Sequence, residues 1–135
     1  MSKTSSPRRP TIVLSETDSE RLTALAVQRE ASFPELSALL LGELERASIR
    51  PDLKVSADVI RMGSRFEYRD AGHGGVRTGQ LVYPEEADIS AGKVSVFTPI
   101  GAGLIGLRAG QTIVWPDRDG RERGLTVVRV EAAAG

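Results

Sequence analysis

The spacing of apolar residues changes near residue 50. Before it, apolar side chains recur every three or four positions, the period of helices with one buried face. Beyond it, short runs alternate apolar with polar residues between glycines and prolines, which is the pattern of strands and turns. The positions in the first helical stretch are Leu22, Leu25 and Ala26, and those in the second are Leu36, Leu39, Leu40, Leu44 and Ala47.

Two local signals delimit the helices. Ser15, with Asp18 three residues later, resembles a capping box at the start of the first helix. Pro34 suits the first turn of the second helix and places the cap at Ser32 or Phe33. Two helices joined by so short a turn predict an antiparallel helical hairpin over residues 11–49. At ~1.5 Å per residue, each helix is about 20 Å long.

The second part predicts a sheet with one short helix. Strands are expected at residues 59–62, 65–69, 76–83, 93–97, 112–115 and 125–130. Pro99, with Thr98 as N-cap, starts a helix of about two turns. The predicted fold class is therefore α+β, with a helical hairpin followed by an antiparallel sheet that carries one helix. The predicted units are a disordered tail at 1–10, the hairpin at 11–49 and a β-rich domain at 50–135.

Composition narrows the class of partner. No apolar run approaches ~20 residues, and the polar start of the chain lacks the features of a signal peptide, so we expect a cytoplasmic protein with no membrane partner. The net charge of zero argues against sequence-specific or bulk-charge binding to nucleic acid. Residues 11–49 hold seven acids and three arginines, a net charge of −4. That surface is either a solvated face or a face for a basic partner.

Candidate chemistry is sparse. The chain has no cysteine, and its one histidine, His73, lies in a glycine-rich segment predicted to be an exposed loop. Residues 101–106 match G-x-G-x-x-G, but Pro99 and the absence of a following βαβ unit argue against a dinucleotide site. Glu30 and Glu35 at the hairpin tip are either a pair of Mg²⁺ ligands or two solvated charges. We expect no catalytic residue, cofactor or metal site.

One stretch carries a family resemblance. Residues 94–111, Val-Ser-Val-Phe-Thr-Pro-Ile-Gly-Ala-Gly-Leu-Ile-Gly-Leu-Arg-Ala-Gly-Gln, resemble the C-terminal signature of the bacterial transcript-cleavage (Gre) factors. The strand end Leu81-Val82-Tyr83-Pro84 fits the same pattern. From Pro10 onward the chain is similar to the regulator of nucleoside diphosphate kinase (Rnk) family, whose members open with Arg-Pro-Thr-Ile, as residues 9–12 do here.

The resemblance implies an FKBP-like C-terminal domain and RNA polymerase as the partner, bound near its secondary channel. Carried over by position, the docking residues are Phe97, Thr98, Pro99 and Ile100. Phe97 stands where Gre factors often have an acid, which makes the contact more apolar.

Gre factors carry tip carboxylates to the polymerase active site on a coiled coil about twice as long as this hairpin. A tip held about 20 Å out cannot reach that site, so we predict no transcript cleavage, whatever Glu30 and Glu35 do. Two other functions remain open. One is a peptidyl-prolyl isomerase, suggested by the fold alone although the chain is poor in aromatics. The other is direct regulation of nucleoside diphosphate kinase.

Overall fold

The helical hairpin forms as the periodicity predicts. The computed structural model describes residues 10–71, 74–116 and 119–131. Helix α1 spans Glu16–Gln28 and α2 spans Pro34–Arg46. The Ser15 hydroxyl accepts the Asp18 N–H at 3.0 Å, and this bond caps α1. Pro34 occupies the first turn of α2, so both predicted helix starts are confirmed.

A short parallel strand pair joins the ends of the hairpin. Strand β1 covers Val13–Ser15 and β2 covers Ser48–Arg50, with Leu14 opposite Ile49. Neither strand is predicted by the sequence pattern, in which the first expected strand begins at residue 59. Three-residue strands are too short to show a period of two, and a parallel pairing across the whole hairpin leaves no local signal.

The β-rich part contains five strands, β3 (Arg65–Asp70), β4 (Val76–Val82), β5 (Lys93–Ser95), β6 (Thr112–Pro116) and β7 (Glu122–Glu131). They form one sheet in the order β5-β4-β3-β7-β6. Its pairs are antiparallel except β4 with β5, which run parallel, so the sheet is mostly rather than wholly antiparallel. The predicted strand at residues 59–62 is absent, and Val59 instead makes a single bridge to Arg108. Helix α3, Pro99–Leu104, connects β5 to β6.

The hairpin and the sheet share one hydrophobic core. Leu22 and Ala26 of α1 and Leu40 and Leu44 of α2 belong to the same buried cluster as residues from α3 and the sheet. Each buried leucine contributes roughly 1.5–3 kcal/mol to folding. The Phe33 ring at the end of the hairpin also packs on Phe97, so the expectation of a tip held about 20 Å out from the domain is wrong. The hairpin lies against the domain because its apolar faces have more area than the two helices can cover for each other.

The base of the hairpin is held by charged groups. Glu43 of α2 is buried, and its Oε1 accepts hydrogen bonds from Arg46 Nε at 3.0 Å and Nη2 at 2.7 Å. Arg46 Nη1 donates to the carbonyl of Pro10. The predicted tail therefore ends in a defined contact at Pro10, whereas residues 1–9 lie outside the described residues. His73 also lies outside them.

Candidate functional site

The start of α3 is a closely bonded turn. The Thr98 hydroxyl accepts the Gly101 N–H at 3.0 Å and donates to the Ser95 carbonyl at 2.7 Å. The Ser95 hydroxyl accepts the Phe97 N–H at 3.0 Å. These bonds confirm Thr98 as the N-cap and link the end of β5 to the helix. The turn therefore holds its partly exposed side chains in a fixed arrangement.

The glycines of α3 serve close packing. A Cβ added at Gly101 would lie 2.2 Å from the Ser95 carbonyl oxygen, and one at Gly103 would lie 2.9 Å from the Trp115 ring. The Trp115 indole N–H donates to the Pro99 carbonyl, so β6 is tied to the same helix start. Contacts of a six-residue helix with β5 and β6 thus explain the first two glycines of the G-x-G-x-x-G match. The third, Gly106, follows the helix with a φ of +82° and lies against Ile12 and Val13.

The four predicted docking residues differ in exposure. Thr98, Pro99 and Ile100 are partly exposed, whereas Phe97 is buried, with 7% of its surface exposed to solvent. Phe97 is covered by the hairpin tip, defined here as the loop at residues 29–33. The Phe33 ring packs edge-to-face on the Phe97 ring, with centroids 5.9 Å apart. The Arg29 guanidinium lies over the same ring, 5.5 Å from its centroid.

Sequence reasoning missed the part that Arg29 and Phe33 play. One signal was available, because Phe33 occupies the N-cap position of α2 and makes no side-chain cap bond there. Serine, threonine, aspartate or asparagine normally fills that position. A phenylalanine at a helix cap indicates a tertiary contact that outweighs the local preference. Nothing in the sequence pattern identified Phe97 as that contact.

A groove opens beside the start of α3. Its volume is about 520 Å³, and its walls include Ile89, Pro99, Ile100, Trp115 and Leu125. Asp70 and Arg123 also line it and form an ion pair at 3.2 Å. Trp115 is the one aromatic residue among its described lining residues. The scarcity of aromatic side chains that argued against an isomerase in the sequence therefore also holds for this groove.

The two tip acids are exposed. Glu30 follows α1 and Glu35 is the second residue of α2. Among the described residues, no group of three or more potential ligands could hold a metal ion. The structure thus places Glu30 within the tip and Glu35 beside it, at the end of the hairpin whose Phe33 contacts Phe97.

Two aspartates join the hairpin to the segment that enters the sheet. Asp18 is buried and accepts the Met62 N–H at 3.1 Å, and this burial raises the pKa of its carboxyl. Asp52 accepts hydrogen bonds from the backbone and the hydroxyl of Thr17, which lower the pKa of its exposed carboxyl. Arg21 lies over the ring of Tyr83 at 4.8 Å. These contacts fix the base of the hairpin, as Phe33 and Arg29 fix its tip.

Comparison with known protein families identifies the class of protein to which the two parts of the chain belong. The family model described as "Transcription elongation factor, GreA/GreB, C-term" matches residues 55–132, which include the whole sheet and α3. The model described as "Rnk N-terminus" matches residues 10–49, the hairpin. The β-rich part is thus the C-terminal domain of a GreA/GreB-type factor.

Relatives that match nearly the whole chain identify the family within the GreA/GreB group. The "Regulator of nucleoside diphosphate kinase" of Escherichia coli is 36% identical over 123 residues, which are 91% of this chain and 90% of that protein. The chain belongs to the Rnk family within the GreA/GreB group, as the sequence resemblance predicts.

More distant relatives share part of the chain or its fold. The transcription elongation factor GreA of Rhodospirillum rubrum is 37% identical over 77 residues, 54% of this chain and 49% of that protein. A GreA/GreB-type elongation factor from Nitrosomonas europaea superposes with a TM-score of 0.69 at 32% identity. That superposition covers 91% of this chain and 99% of the other, and it confirms the predicted α+β fold class.

No helix within the described ranges has both the length and the apolar character required to cross a lipid bilayer.

Proposed function

We propose that this protein is a transcription regulator that binds core RNA polymerase at the rim of the secondary channel and does not cleave the transcript. Its relatives are named as regulators and elongation factors, which supports a regulatory rather than an enzymatic role. The docking surface consists of Thr98, Pro99 and Ile100, which the bonded turn at the start of α3 presents together.

One observation supports the proposal that the protein does not cleave the transcript. The hairpin tip packs on Phe97, directly beside the proposed docking surface, with the Phe33 and Phe97 rings 5.9 Å apart. When the domain docks at the channel rim, Glu30 and Glu35 therefore stay near the rim. A Gre factor instead sends its tip acids deep into the channel on a much longer coiled coil. Carboxylates that remain at the entrance cannot help to hold a second Mg²⁺ at the active centre.

The same docking mode makes the protein a competitor of Gre factors. A domain of shared fold that binds the shared rim excludes them by occupying it, and the short hairpin leaves the deeper channel open. The protein then lowers Gre-dependent transcript cleavage in proportion to its occupancy of the rim.

A purified system tests each part. Core polymerase is stalled in a backtracked complex, and RNA cleavage is followed with the protein, with GreA, and with both. We expect no cleavage above the rate of the polymerase alone, and inhibition of the GreA reaction as the protein is added. Cleavage stimulated by the protein would overturn the proposal.

Binding assays test the surface. The variants Pro99→Ala and Ile100→Asp should weaken binding to core polymerase by about tenfold or more, the effect of losing a central interface residue. Leu53→Ala is the matched control, since Leu53 is 98% exposed and lies on the segment that follows β2. If both docking variants bind as tightly as the wild type, the proposed docking surface is refuted. If the wild type does not bind core polymerase, the proposed function is refuted.

A further inference from the structure

Only 7% of the Phe97 surface is exposed, so Phe97 cannot itself make the apolar contact with a partner that the sequence predicts. The apolar group that stands over it is Phe33, which remains 52% exposed after packing on the Phe97 ring. We propose that Phe33 is a polymerase-binding residue and that the docking surface is composite, built from the hairpin tip and the start of α3. This inference rests on the proposed function.

The local geometry supports a composite surface. Phe33 reaches the α3 side through Phe97, which precedes the Thr98 cap by one residue and Pro99 by two. Arg29, over the same Phe97 ring, holds the tip from a second direction. Phe33 is therefore presented at a fixed position, so ordering its ring on binding costs little conformational entropy. Aromatic side chains, phenylalanine among them, are enriched in protein–protein interfaces relative to the rest of the surface.

The exposure of Phe33 is not explained by folding. Phenylalanine is a poor N-cap residue, and Phe33 makes no side-chain cap bond, so the position loses stability locally. The contact with Phe97 uses part of the ring and leaves about half of it in water. A smaller apolar side chain would cover Phe97 with less exposed surface, so the exposed half-ring is surface that a partner can bury.

Charge indicates the chemistry of that partner. Glu30 and Glu35 flank Phe33 and are exposed, and residues 11–49 carry a net charge of −4. The surface that fits is an apolar patch on core RNA polymerase with lysine or arginine beside it. Opposite charges at such a rim mainly increase the association rate and make it sensitive to salt.

Affinity measurements test the inference with purified core polymerase and the full chain. Phe33→Ala should weaken binding by about tenfold or more, whereas Phe33→Leu should stay within about threefold of the wild type. The double variant Glu30→Gln/Glu35→Gln should lower the association rate at low salt and reduce its salt dependence. Leu53→Ala removes another exposed apolar side chain and should leave the affinity within about twofold of wild type.

Weaker binding of Phe33→Ala could reflect either a lost contact with polymerase or a loosened hairpin. A photo-crosslinking amino acid, p-benzoylphenylalanine, distinguishes the two because it reports direct contact. Placed at position 33, it should crosslink to a polymerase subunit, and placed at position 53 it should not. If the wild type binds but Phe33→Ala binds equally well or more tightly, the composite surface is refuted, and tighter binding would show that the tip covers the docking surface. Absence of a crosslink from position 33 would also refute it. A wild type that does not bind refutes the proposed function itself.

Discussion

The carboxylate of Asp18 accepts a hydrogen bond of 3.1 Å from the backbone N–H of Met62, 44 residues further along the chain. Asp18 lies in the first turn of α1, and Met62 lies just before β3. This bond joins the base of the hairpin to the sheet. Burial of the carboxyl disfavours its charged form and raises its pKa above the ordinary value of 3.8.

The raised pKa predicts a specific dependence of stability on pH. Between the ordinary pKa of 3.8 and the raised folded-state value, the folded protein binds more protons at Asp18 than the unfolded chain does. The contribution of Asp18 to the free energy of unfolding therefore falls as pH rises through that window and is constant above it. Asp18→Asn keeps an oxygen acceptor for Met62 and does not titrate.

Urea unfolding across a pH series measures this contribution. We expect the unfolding free energy of Asp18→Asn, minus that of the wild type, to increase from about pH 4 upward and then level off. The subtraction removes the opposite contribution of Asp52, whose lowered pKa is common to both proteins. A difference that stays constant with pH would contradict the prediction.

Two glycine-to-alanine substitutions should have opposite effects. A Cβ at Gly101 would meet the Ser95 carbonyl oxygen at 2.2 Å, and backbone atoms cannot move aside without distorting β5. Gly101→Ala should therefore destabilise the protein by roughly 1–3 kcal/mol or more. Gly42, inside α2, has no atom within 4 Å of its Cβ position, so Gly42→Ala should stabilise by about 0.5–1 kcal/mol.

Thermal or urea unfolding of both alanine variants provides the measurement, with each serving as the control of the other. Equal shifts in the same direction would mean that helix propensity, rather than packing against β5, determines the requirement for glycine at position 101.

The Thr98 cap should stabilise the start of α3. Thr98→Ala removes both the bond to the Gly101 N–H and the bond to the Ser95 carbonyl, and should cost about 1 kcal/mol of stability. Thr98→Ser keeps the hydroxyl and should retain most of it. Unfolding midpoints in urea compare the three proteins, and a serine variant as unstable as the alanine variant would show that the methyl group matters instead.

The Arg46–Glu43 pair should be important for the hairpin. Arg46→Ala removes both guanidinium hydrogen bonds from the Glu43 carboxylate, which is 1% exposed. It should destabilise the protein by about 3 kcal/mol, the lower end for a broken buried pair, because Arg46 itself is 26% exposed. Arg46→Lys should recover part of the loss, since an ammonium group cannot reproduce the fork of donors. Arg50→Ala, at an exposed position of β2, is the control in the same unfolding assay.

Local rules account for the elements that the sequence predicts correctly. Ser15, Pro34 and Thr98 start their helices through bonds or backbone angles that involve residues at most three or four positions away. The strand that contains Ile113 and Trp115 is visible for the same reason, since alternation needs five residues. Three-residue elements escape such rules, which is why the sequence pattern does not predict β2.

Short-range spacing and motif residues carry enough information to predict the family, the hairpin, the position of α3 and the class of partner to be tested. Tertiary structure alone decided that the hairpin lies on the domain, that Phe33 and Arg29 cover Phe97, and that the glycines of α3 are required by β5 and Trp115. These facts depend on how two distant surfaces fit together. Such contacts depend on shapes and distances in space. Phe33 and Phe97 are 64 positions apart in the chain, so their contact leaves no periodic pattern in the sequence.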